Sequence, residues 1–399
     1  MKPAEIAALL RPRTPELNAV RRRLARCHAV ADLRATARQR LPRGVFDYID
    51  GGAEDEVSLR RNQAAFAEID LVPSYLQGVA DVDLGTTILG VPSPLPLALA
   101  PTGFSRMMHP DGELAVARAA GRSGLAYAVS TMATTSIEDI AEVATGPLWF
   151  QLYVWRDRGL SKELIDRAKS AGCHALMLTV DTPVPGARER DLRNGLTIPP
   201  ELTVRTLLDG ARHPHWWWGL LTTESVTFAN VSNRAAEPSG VMAYVARQFD
   251  PALSWDDIGW MVDAWGGPFV MKGILSIDDA ERAASLGVSG IVVSNHGGRQ
   301  LDHTPPPVAV LPDIVDAVGD RLEVLVDSGV RRGSDIVKAL ALGARAAMIG
   351  RPYLYGLGVA GEQGVAHSID ILSAELRRTM QLLGVASVDQ LSRTTVQRR

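Results

Sequence analysis

The 399-residue chain is 46% hydrophobic and 22% charged, enough apolar material for a large buried core arranged as one or two domains. Its formal net charge of -3 gives no electrostatic reason to expect nucleic-acid binding. No uncharged stretch reaches the ~18 residues of a membrane span, and Cys27 and Cys173 fall in no metal-ligand or redox spacing, so both are expected as reduced thiols of a cytosolic protein.

The start, Met1-Lys2-Pro3-Ala4, leads into no long apolar run, so no signal peptide is expected. Residues 1–40 read as a helical extension with prolines, and its run Arg21, Arg22, Arg23 and Arg26 is expected on a solvated helix face. Residues 41–395 read as a single domain in which short apolar runs alternate with amphipathic helices. Leu97–Ala100 is the first predicted strand, followed by a helix over Gly112–Ser123 and strands at Leu125–Val129 and Trp149–Tyr153. A helix over Leu160–Ser170 and a strand at Ala175–Val180 come next. After an interruption, strands are predicted at Phe269–Met271, Gly290–Val293, Val324–Val326 and Ala346–Ile349, with helices over Ile277–Leu286 and Ser334–Leu342. Ser276 precedes Asp278 and Asp279 as an N-cap before an acidic first turn.

Eight such strands predict an α/β fold, a closed (β/α)8 TIM barrel of about 250 residues or more. An open doubly wound sheet would carry a glycine fingerprint after its first strand, and Ala100-Pro101-Thr102-Gly103 lacks that spacing. The interruption, residues 186–254, is rich in Pro, Trp and polar residues and too long to be a plain connection after strand four. A lid, a partner surface or a membrane contact is expected there.

Barrel enzymes carry their chemistry at the C-terminal ends of the strands. Here those ends are polar: Thr102, Ser130, Gln151 with Tyr153, Thr179 with Asp181, Lys272, Ser294 with Asn295 and His296, Asp327 with Ser328, and Arg351. Asp327-Ser328-Gly329-Val330-Arg331-Arg332-Gly333-Ser334 and Gly350-Arg351-Pro352 follow the last two strands. That is where a phosphate commonly meets a helix N-terminus and arginines. On the turn after strand six, His296 and Arg299 pair a base that titrates near neutrality with a fork suited to a carboxylate. His213, His215, His296 and His303 form no recognisable metal-ligand set, so no metal is expected.

Ser294-Asn295-His296-Gly297-Gly298-Arg299-Gln300-Leu301-Asp302 and Phe46-Asp47-Tyr48-Ile49-Asp50-Gly51-Gly52-Ala53 resemble the FMN-dependent L-2-hydroxy acid oxidases and dehydrogenases, over roughly Leu41 to Leu391. The resemblance implies FMN as cofactor, His296 as catalytic base and Asp181 as its orienting carboxylate. It implies Arg188 and Arg299 on the substrate carboxylate, Tyr48 and Tyr153 as hydroxyl contacts to substrate, and Lys272 beside the flavin pyrimidine. Thr102, Ser130, Gln151, Thr179 and Ser294 match flavin contacts, and Asp327, Gly329, Arg331, Gly350 and Arg351 match the ribityl and phosphate end. It further implies a small 2-hydroxy acid substrate, L-lactate by default, and a homo-oligomer, a tetramer in this family.

The electron acceptor implied is a quinone, oxygen or a protein. Gly103, where family oxidases often carry Ala, leans toward a dehydrogenase, although glycine after a strand also serves a turn. The cluster His213-Pro214-His215-Trp216-Trp217-Trp218 suggests peripheral contact with the inner face of the membrane, or burial as a lid or subunit contact. Met132 matches a position lining the substrate pocket. Leu192-Arg193-Asn194-Gly195-Leu196-Thr197-Ile198-Pro199-Pro200 also resembles the mycofactocin-maturing branch, which oxidatively deaminates a modified peptide end. A non-catalytic FMN-binding barrel is the remaining alternative.

Overall fold

Strands β4 (Leu97–Leu99), β5 (Tyr127–Ser130), β6 (Leu148–Leu152), β7 (Ala175–Thr179), β8 (Phe269–Ile274), β9 (Gly290–Val293), β10 (Glu323–Val326) and β11 (Ala346–Ile349) close into one barrel in that order. All neighbouring pairs run parallel. The computed structural model describes residues 16–195, 209–223, 226–231 and 248–399. The strands start and stop within a residue or two of the positions read from sequence, except β8, which continues past Met271. There the register shifts between Lys272 and Ile274. Gly273, at φ 106°, occupies the shift, and a Cβ on it would come within 2.8 Å of the Asp181 side chain. This irregularity makes room for a carboxylate beside the strand that carries Lys272.

Because side chains alternate across a strand, each apolar run supplies two surfaces. Leu97, Leu99, Val129, Phe150, Leu176, Leu178, Ile291, Val293, Val326 and Ile349 belong to the large core that the helices share. The alternate residues form a second cluster that fills the barrel: Ala98, Ala100, Ala126, Ala128, Trp149, Ala175, Met177, Val270, Val292, Leu325, Ala346 and Met348. Trp149 is the bulky member among six alanines, the large-to-small mixture that a narrow interior requires. Outside the barrel, β1 (Ile69–Leu71) pairs with the C-terminal strand Val396–Arg398, and Ile88 and Leu89 join the second cluster from the hairpin formed by β2 (Thr86–Ile88) and β3 (Val91–Ser93). Leu89 and Gly90 both have positive φ, 49° and 78°, as a two-residue hairpin turn of this kind demands.

Local signals account for the helices. Ser276 Oγ accepts from Asp279 N at 3.2 Å at the start of the Ile277–Ser285 helix, and the predicted helix over Gly112–Ser123 is observed over Gly112–Arg122. In the N-terminal region, α1 (Ala19–Leu24) and α2 (Val30–Arg40) pack on the last long helix, Arg351–Leu383, which is broken at Ala360–Gly361. Arg21, Arg22 and Arg26 are exposed as expected, whereas half-buried Arg23 reaches Val359 O at 2.5 Å.

The helix α3 (Arg43–Asp50) carries Tyr48 over the barrel mouth. It is held there by Asp50, which accepts from Arg34 at 2.6 and 2.7 Å and from the Tyr355 hydroxyl at 2.8 Å. Burial pushes the Asp50 carboxyl upward, but the hydrogen bonds from Arg34 and Tyr355 outweigh it and hold its pKa below the ordinary value.

Candidate active site

Continuing each strand's inward alternation by one step gives Thr102, Ser130, Gln151, Thr179, Lys272, Ser294, Asp327 and Gly350, the residues two beyond Ala100, Ala128, Trp149, Met177, Val270, Val292, Leu325 and Met348. The apolar filling thus gives way to a largely polar floor at the C-terminal face. A cleft of about 250 Å³ opens there, lined by residues from every barrel strand or the loop after it, among them Thr102, Ser130, Tyr153, Thr179, Lys272, His296, Asp327 and Gly350.

The loop after β9 has an unusual backbone. His296, Gly297 and Gly298 are consecutively left-handed, with φ of 59°, 69° and 72°. For histidine this conformation costs on the order of 1 kcal/mol or more and must be imposed by the surroundings. Asn295 and Asn62 exchange side-chain hydrogen bonds of 2.8 and 2.7 Å, and Gly297 N donates to Ser328 Oγ at 2.9 Å. Asp302 accepts from Val57 N and Ser58 N at 3.0 and 2.7 Å. The glycines are required by close approach as well as by φ: a Cβ on Gly298 would lie 2.5 Å from Leu59 N.

This turn sets His296 Nδ1 3.0 Å from Asp181 Oδ1. Asp181 Oδ2 is buried with no hydrogen-bond partner. Arg299, from the same turn, donates to Tyr48 O at 2.5 Å and Gly51 O at 3.2 Å, and its guanidinium lies 4.9 Å from the Tyr48 ring centroid. Arg188 approaches the same ring at 5.7 Å and pairs with Asp191 at 3.3 Å. Enclosure by protein, and then the neighbouring Arg188, lower the basicity of Arg299. Burial and then Asp181 raise the Tyr153 phenol well above its ordinary pKa, so it remains a hydroxyl at neutral pH. Arg188 begins the helix Glu189–Arg193, whose Arg190 lies 3.4 Å from Asp50 and also pairs with Glu56, while Asn194 donates to Asp47 at 2.8 Å. The start of the interruption is thereby fastened over α3.

Lys272 and Asp327, expected at different parts of the flavin, are in contact: Nζ and Oδ2 are 2.8 Å apart, and both residues are buried. Lys272 also donates to Ser294 Oγ at 2.7 Å. Burial alone would raise the Asp327 pKa, but the Lys272 charge and hydrogen bonds from Lys272, Ser294 and Ser328 keep it low. The lysine's positive charge is therefore locally balanced.

At the expected phosphate end, the amides leading into the helix Gly333–Ala341 are engaged within the protein: Asp335 accepts from Arg331 N and Arg332 N at 2.9 Å, and Glu375 accepts from Gly333 N at 2.8 Å. These three amides are therefore committed within the protein. Arg331, Gly329, Gly350 and Arg351 nevertheless line the cleft. Arg351 forms no salt bridge among the described residues; it donates to Ile49 O, Gly297 O and Gly51 O at 2.9, 3.0 and 2.7 Å. Burial pushes its pKa down to about 9, the response of a cation without a counter-ion.

These residues fit FMN. Gln151 Nε2 and Thr179 Oγ1 are buried without partners, as expected of groups awaiting a polar ring edge, and Arg351 offers an uncompensated cation for a phosphate. Ser130 Oγ instead donates to Gln151 Oε1 at 3.0 Å, and Thr102 Oγ1 bonds the Tyr353 hydroxyl at 2.7 Å. Asn62 is absent from the sequence reading, and Asp50, Asp302 and Ser328 stand in its motifs and strand ends without a role. Asn62 was detectable as the one amide on a stripe with Leu59 and Phe66, all buried. No group of three or more His, Cys, Asp and Glu residues that could hold a metal ion occurs among the described residues.

Gly103, Phe104 and Met132 line one part of the cleft. Phe104 sits edge-on between Tyr48 and Phe228, with centroid distances of 5.5 and 4.5 Å. A Cβ on Gly103 would stand 3.0 Å from Met132 Cβ, so packing gives this glycine a reason independent of any electron acceptor. In the interruption, the helix Pro214–Leu221 is anchored by Trp216 Nε1, which donates to Met107 O at 2.6 Å. Trp218 and Leu221 remain 72% and 75% exposed. Of the segment Leu192–Pro200, residues 196–200 lie outside the described residues. No described helix is long and apolar enough to cross a membrane.

A sequence model of FMN-dependent dehydrogenases matches residues 37–398. The chain is 48% identical over 389 residues to a putative L-lactate dehydrogenase of Mycobacterium tuberculosis (strain ATCC 25618 / H37Rv), covering 97% of this chain and 93% of that protein. It is 43% identical over 370 residues to an L-lactate dehydrogenase of Caulobacter sp. (strain K31), covering 92% and 97%. Among solved structures, the monotopic membrane protein (S)-mandelate dehydrogenase aligns with a TM-score of 0.91 and 40% identity, over 94% of this chain and all (100%) of that one. A soluble mutant of the membrane-associated (S)-mandelate dehydrogenase from Pseudomonas putida aligns with a TM-score of 0.82 and 38% identity, over 93% and 99%.

Proposed function

Because the chain belongs to the family of FMN-dependent dehydrogenases, we propose that it oxidises a small L-2-hydroxy acid, L-lactate before larger ones, and delivers the electrons to a membrane quinone. Bound FMN supplies the two-electron acceptor. Thr102, Ser130, Gln151, Thr179, Lys272 and Ser294 would hold its ring, and Asp327, Gly329, Arg331, Gly350 and Arg351 its ribityl and phosphate.

The observation that carries the reading is the carboxylate at His296 Nδ1, 3.0 Å away, on the same turn that presents Arg299 without a salt bridge among the described residues. An acceptor-only carboxylate makes Nδ1 the donor, which leaves the Nε2 lone pair to take the substrate's proton. Asp181 then stabilises the imidazolium. Arg299 and Arg188 bind the substrate carboxylate, and the Tyr48 and Tyr153 hydroxyls orient the reacting end. Cations aimed at an anion cost little reorganisation when they are held in advance, here by the carbonyls of Tyr48 and Gly51 and by Asp191.

Two considerations favour lactate. Phe104, braced by Phe228, limits the room beside the reacting carbon, and the two sequence relatives described above carry the name L-lactate dehydrogenase. The solved mandelate dehydrogenases support an aromatic substrate instead, with Met132 as the pliable wall. The test is anaerobic flavin reduction by L-lactate, (S)-mandelate and a peptide-derived amine, followed by reoxidation with oxygen or a short-chain quinone. L-Lactate is expected to give the highest kcat/KM and quinone the faster reoxidation. Faster reduction by mandelate or by the amine would overturn the substrate choice, and a flavin that stays yellow with all three would leave only a binding barrel.

The quinone assignment draws on the exposed Trp218 and Leu221, three residues apart on one face of their helix, and on the membrane-associated neighbours. Replacing both with serine is expected to reduce sedimentation with anionic vesicles by about tenfold or more, with turnover of a soluble dye acceptor unchanged. Wild-type protein that stays in the supernatant would contradict a membrane contact.

A further inference from the structure

We propose that Gln300 is a positioning residue for the reaction: its carboxamide clips the loop after β7 to the loop after β9, and so fixes Asp181 against His296 and Arg188 opposite Arg299. The inference rests on the roles given above to those four residues.

Asp181-Thr182-Pro183-Val184-Pro185-Gly186 has no regular structure to hold it. Pro183 and Pro185 contribute no N–H, so the segment cannot pair along its length. Gln300 Nε2 donates to both Asp181 O and Val184 O at 3.0 Å, and Gly186 N donates to Gln300 Oε1 at 3.1 Å. One primary amide, with two donor hydrogens and one acceptor, therefore serves both ends of a donor-poor segment. Among the described residues, these bonds are what ties the backbone of 181–186 to the His296 turn.

Apolar packing does not substitute for them. Val184 is 57% exposed, and Pro183 and Pro185 are also exposed. The loops touch only because residue 186 is glycine: a Cβ there would lie 2.2 Å from Arg299 O and 2.8 Å from Gln300 Cα. Beyond it, Ala187 O accepts from Glu54 N at 2.8 Å, which hands the chain on to Arg188 and α3. Both functional pairs, Asp181 with His296 and Arg188 with Arg299, thus span the same seam. A shift of the seam by a fraction of an ångström misaligns both together.

Gln300→Leu keeps the approximate shape and removes all three bonds. Compared with wild type, it is expected to lose on the order of 10- to 100-fold in kcat/KM for L-lactate, with contributions from both kcat and KM. Oxalate, a small dicarboxylate that needs the arginines but no base, should perturb the flavin spectrum with a correspondingly weaker Kd. FMN content and Tm should stay near wild type, and Val184→Ala, which trims an exposed side chain and keeps the carbonyl that Gln300 binds, should leave both constants unchanged. Wild-type kinetics and oxalate affinity in Gln300→Leu would overturn the proposal. So would a rate loss that merely follows lost FMN and a lowered Tm with oxalate affinity intact, because the side chain would then only stabilise the fold. If wild type itself neither oxidises L-lactate nor binds oxalate, the failure belongs to the functional reading instead.

Discussion

Alanine at His296 is expected to leave FMN bound and to slow flavin reduction by L-lactate on the order of 10⁴-fold, the upper range for loss of a positioned general base. FMN should stay because the groups that would hold it, among them Gln151, Thr179, Lys272 and Arg351, come from other strand ends. The backbone should tolerate the change only in part. His296 has φ 59°, a conformation alanine does not favour, but Ser294 Oγ still accepts from the residue 296 amide at 3.0 Å and the Asn62–Asn295 pair still pins the turn. Stopped-flow reduction with an FMN content measured in parallel separates lost chemistry from lost cofactor. Reduction at the wild-type rate would remove His296 as the base.

Arg299→Lys is the second large effect, with kcat/KM falling about 10²- to 10³-fold, as expected when one partner of an enclosed, hydrogen-bonded charge pair is lost. The guanidinium donates to two backbone carbonyls through Nη1, stacks near the Tyr48 ring and presents its remaining N–H groups to the cleft. An ammonium has three donors at a single point and cannot hold those carbonyls while also forking onto a carboxylate. KM should rise and kcat should fall, because the substrate is then both weakly held and misdirected. Unchanged steady-state constants would show that the substrate carboxylate does not depend on this fork.

Much of the barrel was readable from the chain itself. Runs such as Ala175–Thr179 and Gly290–Val293 are buried on both faces, so they must be continuously apolar, and that pattern is visible without any contact map. The polar residue that ends each run was readable for the same reason, since the inward alternation that places Met177 or Val292 inside the barrel also places Thr179 or Ser294 above it. The length of β8 was not readable: its extension depends on Gly273 standing against Asp181, a contact between strands.

The grouping of nearby side chains was legible too: His296 and Arg299 stand three residues apart on a glycine turn, and their residue types suit the base and carboxylate fork proposed for them. Relationships between distant segments were not. The Lys272–Asp327 ion pair joins residues 55 positions apart, and sequence gave each a separate place on the flavin. Asp335 and Glu375 take up the amides of Arg331, Arg332 and Gly333 ahead of a helix, and Asn62 reaches Asn295 across 233 positions. Gly103, taken from sequence as a sign of the electron acceptor, turns out to have a packing demand from Met132.

By itself, then, the sequence determined the strand count and the inward-facing polar ring, and it supplied the side chains proposed here as reactive, because alternation and turn chemistry are local properties carried by neighbouring residues. Tertiary structure alone decided which charges neutralise one another, which donors remain free for a ligand and how the two loops bearing His296 and Asp181 are held in register. Those outcomes depend on distances and burial between segments far apart in the chain, and desolvation makes each such pairing, or its absence, matter by more than any residue's intrinsic preference.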